Sequence, residues 1–296
     1  MSGWHETGFA ATLTGVFALR RACRLRVTAL LRACHPEPAL AVTAGGTLLA
    51  AGAGQQWSGV LASGAAILAT QLSVGWGNDW LDADRDVTAG RPDKPVAAGH
   101  VSRPAIRTAA IAAGLVSLPL ALLSGVPAAL ALLIGLASAW LYNIPLKRTV
   151  LSPLPYVVSF AALPAFAYLG LPGAPPPPWW LPVAGGLLGF GAHFANALPD
   201  LADDEATGVR SAPLRAGPGL SRVLAAAGLA AASVVLAVGI RSWPGLAVVA
   251  AAAVILPAGL WLGSRPGSRA AFRAVLVVAL LDVALLVAAP FLSGQT

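Results

Sequence analysis

The sequence predicts an all-α integral membrane protein with about nine transmembrane helices, and three observations carry that prediction. The chain is 57% hydrophobic and only 10% charged, with a mean hydropathy of +0.75, outside the range of soluble globular domains. Its apolar residues gather into nine runs near the length that crosses a bilayer, roughly 17–25 residues. When nine crossings are threaded through those runs, all of the 19 Lys and Arg residues except Arg241 fall on one side.

The runs are residues 39–53, 57–76, 105–123, 126–142, 154–171, 179–198, 223–240, 244–262 and 275–292. The first is short for a crossing, so its helix is expected to start earlier, near Arg32. Tryptophans such as Trp57, Trp179 and Trp180 mark run ends, as amphipathic rings do at a membrane interface. One set of connections is short and uncharged, for example residues 50–56 and the Pro-rich 172–178. The other set carries the cations: Arg85, Arg91, Lys94, Arg103 and Arg107, then Lys147 and Arg148, then Arg210, Arg215 and Arg222, then Arg265, Arg269 and Arg273. Such asymmetry is the positive-inside signature, which predicts that this side is cytoplasmic, in the plasma membrane of a cell. The net charge of +7 is thus a topogenic, lipid-facing property, and nothing in it suggests nucleic-acid binding.

Residues 1–32 form a basic segment with Arg20, Arg21, Arg24, Arg26 and Arg32. Its cations follow its apolar part, the reverse of a signal peptide, so a helix lying on the inner membrane surface is expected. Residues 33–296 are expected to form one membrane domain. The two cysteines, Cys23 and Cys34, have no metal-ligand spacing and read as packing thiols.

The acids are the most informative residues. Nine of the twelve Asp and Glu residues lie in the connections after the second and sixth runs. Asp79, Asp82 and Asp86 fall within a sector of roughly 60° on one helix face, with Asn78 beside them and Asp84 pointing away. In the later cluster Asn196, Asp200, Asp203 and Asp204 span about 100° of helix arc, with His193 on the same face one turn earlier and Pro199 as a source of a kink. Carboxylates crowded on one face repel unless a cation sits among them, and Mg²⁺ with a diphosphate is the usual solution. The clusters lie four helices apart, which suggests two related four-helix halves, each bringing acids to a shared centre, plus a ninth helix.

Four stretches resemble the UbiA superfamily of intramembrane prenyltransferases. These are Asn78-Asp79-x-x-Asp82-x-x-x-Asp86; Gly90-Arg91-Pro92-Asp93-Lys94-Pro95 through Gly99; Tyr142-Asn143-x-Pro145-Leu146-Lys147-Arg148; and Asn196-x-x-x-Asp200-x-x-x-Asp204. The resemblance covers about residues 30–292. It implies a nine-helix bundle around a central cavity, two Mg²⁺ ions, an isoprenyl diphosphate donor and a lipophilic, often aromatic, acceptor. By resemblance, Asp79, Asp82 and Asp86 hold one ion with Asn78 assisting, Asp200 and Asp204 hold the other, and Arg91, Lys94, Lys147 and Arg148 clamp phosphate oxygens.

Two departures from the family pattern matter. Ala197 stands where many relatives carry an acid, which leaves the second metal site either weaker or drawing on Asp203. His35-Pro36-Glu37-Pro38 replaces an Arg-Pro near the acceptor pocket, where Arg32 or protonated His35 can meet an acceptor carboxylate. Tyr142, Gln71, His193 and Asn196 are further pocket candidates. Gln71 shares a line with Asn78 and Asp82, which suits either the cavity or an interhelical hydrogen bond. Asp282, inside the last apolar run, is expected to face the bundle interior.

Other readings are weaker. A phosphatidyl-type transferase requires an Asp-Gly dipeptide that this chain lacks. A phosphoribosyl donor needs a hydroxyl-rich sugar pocket, for which there is no cue. A cation transporter places its acids midway through helices, and a non-catalytic lipid-binding relative would share the same scaffold. The mainly Ala, Leu, Val and Gly lining suits isoprenoids of many lengths.

Overall fold

The computed structural model describes residues 27–201, 205, 210–263 and 270–292. Among them the regular structure is entirely helical. Nine long helices follow one another: α1 (Pro36–Gly52), α2 (Trp57–Thr88), α3 (Arg103–Leu122), α4 (Val126–Asn143), α5 (Pro153–Leu169), α6 (Trp180–Ala197), α7 (Ala212–Ile240), α8 (Trp243–Gly263) and α9 (Ala270–Leu292). A helical stretch over residues 27–33 precedes α1, and short 3₁₀ turns follow α4 (Leu146–Arg148) and α6 (Leu198–Asp200). By length and apolar composition, five of the described helices qualify as membrane crossings: α2, α3, α4, α7 and α8. Helix α5 is apolar but shorter. The nine elements correspond to the nine expected runs, while individual bounds move.

Those shifts have local causes. Helix α1 starts at Pro36 and not near Arg32, because His35 sits in the left-handed region at φ 54° and breaks the chain from the 27–33 stretch. Proline in the first turn costs no hydrogen bond and sets φ for the helix. It recurs at the starts of α3, α4, α5 and α7. Ser102 and Ser211 cap α3 and α7 by accepting the N–H of Ala105 and Leu214. Helix α2 continues twelve residues beyond the apolar run that ended at Trp76, so its acid-bearing end is a true helix. It stops at Gly90, whose φ of 64° a side chain would resist. Helix α7 starts eleven residues earlier than its apolar run and is kinked at Gly217, which has φ 73° and precedes Pro218.

The helices close into a ring. Each packs on the next in sequence, and α9 packs back on α1, α6 and α7. Small residues allow close approach: a Cβ at Gly191 of α6 would lie 2.9 Å from the Ala225 carbonyl oxygen of α7, and one at Gly228 would lie 2.9 Å from the Gly191 nitrogen. Large apolar side chains such as Leu115, Leu246 and Val254 point outward and are two-thirds exposed. In water that would be costly; against lipid it is the expected finish of a multi-pass membrane protein. Trp57, Trp179 and Trp243 stand exposed at helix starts. Trp76 differs, since its indole N–H donates to the Leu30 carbonyl at 2.9 Å and fastens the 27–33 stretch to α2.

Candidate active site

The site is built on the last three turns of α2. Asp79, Asp82 and Asp86 are 1%, 4% and 4% exposed, whereas Asp84 points outward and takes two 2.8 Å hydrogen bonds from Arg103 at the start of α3. The helical repeat produces this division: positions 79, 82 and 86 lie along one face and 84 faces away.

Two neighbouring segments reach the buried acids. The connection from α2 to α3 supplies Lys94, whose Nζ donates to Asp79 Oδ1 at 2.8 Å. The 3₁₀ turn after α4 supplies Lys147, which is buried and pairs with Asp82. Burial pushes the Lys147 ammonium below its usual pKa, against the opposing pull of the Asp82 carboxylate. His35 completes a triangle, its Nε2 lying 3.1 Å from Lys94 Nζ and 3.3 Å from Asp79 Oδ1. Asp79 Oδ2 is buried without a partner. Below the acids, Asn78 donates to Asn143 Oδ1 at 3.3 Å, and Asn143 donates to the Val74 carbonyl at 3.0 Å, which locks the end of α4 to α2.

A cleft of about 260 Å³ opens beside this group, lined by Arg32, His35, Glu37, Asp93 and Lys94 among others. Arg32 and His35, expected near the acceptor, therefore border the same cleft as Lys94. Arg91 is held by Asp93 through two 3.0 Å hydrogen bonds, and its guanidinium draws the Asp93 carboxyl below the usual range. Arg148 is exposed and Gln71 is half-buried on α2, two turns before Asn78.

An aromatic group lies where α4, α5 and α6 meet. Tyr142 and Tyr156 meet edge-on at 5.1 Å, His193 lies 4.9 Å from Tyr156 and 5.8 Å from Tyr142, and Phe160 stacks on Tyr156 at 6.3 Å. His193 is 2% exposed, and its Nε2 lies 3.0 Å from the Ser152 hydroxyl, which also accepts the Ala212 N–H. His193 Nδ1 is buried and unpartnered. Asn196 donates to the Tyr156 hydroxyl at 3.3 Å. Sequence reasoning singled out Tyr142, His193 and Asn196 here but missed Tyr156, Phe160, Ser152 and the Asn143 bridge. Asn143 stood inside a recognised motif; Tyr156 and Phe160 lie in an apolar run, and Ser152 just before it, with no local mark.

The second acid cluster corrects an expectation. Helix α6 ends at Ala197, and Leu198–Asp200 is a 3₁₀ turn, because Pro199 lacks the N–H to continue the ladder. Asn196 and Asp200 thus do not share the continuous helical arc assumed for them. Asp203 and Asp204 lie outside the described residues.

Among the described residues no three His, Cys, Asp or Glu side chains already converge on a metal position. The donor set nevertheless fits a hard cation: three buried carboxylates share one face, and one of their oxygens lacks any partner. A cation entering at Asp79 and Asp82 would meet the lysine ammonium groups already paired with one oxygen of each.

Comparison with known proteins identifies the fold and the family. The family model described as UbiA prenyltransferase family matches residues 39–292. The fold is similar to that of a UbiA homolog from Archaeoglobus fulgidus bound to GPP and Mg²⁺, with TM-score 0.68 and 16% identity, covering 88% of this chain and 99% of that one. It is similar to the apo structure of a UbiA homolog from Aeropyrum pernix K1, with TM-score 0.65, 20% identity and coverage of 82% and 96%. A digeranylgeranylglyceryl phosphate synthase gives TM-score 0.64 at 14% identity, covering 91% of this chain and 99% of that one. No curated protein sequence matches. With the family model spanning most of the chain over a ring of helices that presents paired acids and cations at one end, the chain belongs to the UbiA prenyltransferase family.

Proposed function

We propose that this protein transfers a prenyl group from an isoprenyl diphosphate to a lipophilic, aromatic acceptor inside the membrane, with two Mg²⁺ ions and with the site facing the cytoplasm. The observation that carries this reading is the row of buried carboxylates, Asp79, Asp82 and Asp86, bordered by Lys94 and Lys147 at the polar end of an apolar bundle. The solved relatives with GPP or DMAPP and Mg²⁺ support it.

In this reading Asp79, Asp82 and Asp86, with Asn78 assisting, hold one ion; Asp200 and Asp204, with Asp203, hold the other. The metal supplies Lewis-acid stabilisation of the diphosphate leaving group. Lys94, Lys147, Arg91 and Arg148 bind its remaining anionic oxygens. The allylic C–O bond breaks with its electron pair staying on the diphosphate. The acceptor's nucleophilic atom forms the new bond to the prenyl carbon and gives up a proton. Tyr142, Tyr156, Phe160 and His193 supply a π-rich wall that suits a cationic prenyl fragment and excludes water. Arg32 and His35, on the cleft, meet the acceptor's polar end.

The test is mass spectrometry of lipid products after the purified protein is incubated with Mg²⁺, prenyl diphosphates of several lengths and a pool of phenolic and other lipophilic acceptors. A prenylated acceptor, formed only with Mg²⁺, is expected. Diphosphate consumption with no prenylated product, or a product that carries a sugar phosphate, would overturn the reading.

A further inference from the structure

Two of the three buried carboxylates on α2 are each paired, through one oxygen, with a cation of the chain itself. Lys94 reaches Asp79 from the α2–α3 connection, and Lys147 reaches Asp82 from the 3₁₀ turn after α4. Both carboxylates are nearly inaccessible, and Lys147 is itself 9% exposed. Each ammonium therefore holds one oxygen of a carboxylate that a divalent cation would need, so a cation at the other oxygen would lie beside an enclosed like charge.

We infer that Lys94 and Lys147 are internal stand-ins for the divalent cation, which release Asp79 and Asp82 only when a diphosphate is present to receive their ammonium groups. This rests on the transfer reading above. A metal arriving alone must either sit beside an enclosed ammonium or push it off its carboxylate and leave that lysine charged without a counter-ion, and both oppose binding. A diphosphate removes the penalty, because its oxygens accept the displaced ammonium while also ligating the metal. Lysine suits the exchange: its charge is compact and its four-carbon stem flexible. Metal and donor are then held to joint entry, and the carboxylates stay neutralised in between. A lysine that only clamped phosphate would make a different forecast, since its loss would weaken donor binding and leave metal affinity in the absence of donor unchanged.

The experiment is isothermal titration of Mg²⁺ into the full chain in detergent, with and without a non-hydrolysable geranyl diphosphate analogue. Wild type is compared with Lys147→Met, Lys94→Met and the charge-retaining Lys147→Arg. Without the analogue, Mg²⁺ is expected to bind about tenfold more tightly to each Met variant than to wild type, and Lys147→Arg to stay near wild type. The tightening by the analogue should shrink by about the same factor in the Met variants, within the 5- to 150-fold range common for coupled sites. Lys94→Met, on the less buried lysine, keeps the test decisive if Lys147→Met does not fold in a thermal melt. Unchanged or weaker Mg²⁺ affinity in folded Met variants, with coupling intact in wild type, would overturn the inference alone. Absence of Mg²⁺–analogue coupling in wild type would overturn both it and the transfer reading.

Discussion

At the scale of single residues, the site depends on which face of α2 a side chain occupies. Asp79 and Asp82 are buried against lysines, whereas Asp84 is exposed against Arg103. Asp79→Asn and Asp82→Asn each remove a charge with little change of shape, and prenyl transfer is expected to fall by at least about a hundredfold, the scale of losing one strong transition-state contact. Asp84→Asn should stay within about twofold, since exposed ion pairs contribute little. Initial rates at saturating Mg²⁺ check this, and equal losses in all three would refute the helical-face assignment. Asp282 shows the same dependence on surroundings. It is fully buried in α9, and the Ser233 hydroxyl of α7 donates to its Oδ1 at 2.8 Å. A residue 49 positions away was not readable as its partner.

At the scale of elements, close approach between helices is bought with missing side chains. The α6–α7 contact has Gly191 against Ala225 and Gly228. Gly191→Leu would force these backbones apart, and overpacking of this kind costs about 1–3 kcal/mol. A clearly lowered melting temperature in detergent is expected. Gly219→Ala is the control: a Cβ there meets nothing within 4 Å, so its melting temperature should stay near that of wild type. The same contact positions the aromatic wall, because His193 of α6 is tied through Ser152 to the first turn of α7. A Gly191 variant that stayed folded should therefore also lose activity, and a full-rate variant would separate packing from the site.

At the scale of the whole molecule, charge orients the ring. On the proposed orientation, with the cationic connections inside, single cysteines placed in 172–178 should react with a membrane-impermeant maleimide in intact cells. Cysteines near Lys94 or Arg210 should react only after permeabilisation. External labelling near Lys94 would overturn the proposed cytoplasmic site. The native Cys34 is buried with its thiol on the Leu31 carbonyl at 3.1 Å, so it should contribute little background.

By itself the sequence determined the helical class, the succession of nine elements and the face of α2 that carries the acids. Each of these follows from local regularities: apolar run length set against bilayer thickness, and the 3.6-residue repeat acting on Asp79, Asp82 and Asp86. The resemblance to the family's motifs likewise marked Lys94 and Lys147 before any contact was visible. Only the tertiary structure decided their partners. That Lys94 meets Asp79 while Lys147 meets Asp82, that Asn143 braces Asn78, and that Tyr156 and Ser152 surround His193 all depend on how distant helices pack. Helix ends moved for the same kind of reason. The left-handed His35 and the 3₁₀ turn at Pro199 are settled by single backbone groups that run length averages away. Periodicity reports what one helix presents; which charge answers which across the ring is set by packing among residues far apart in the chain.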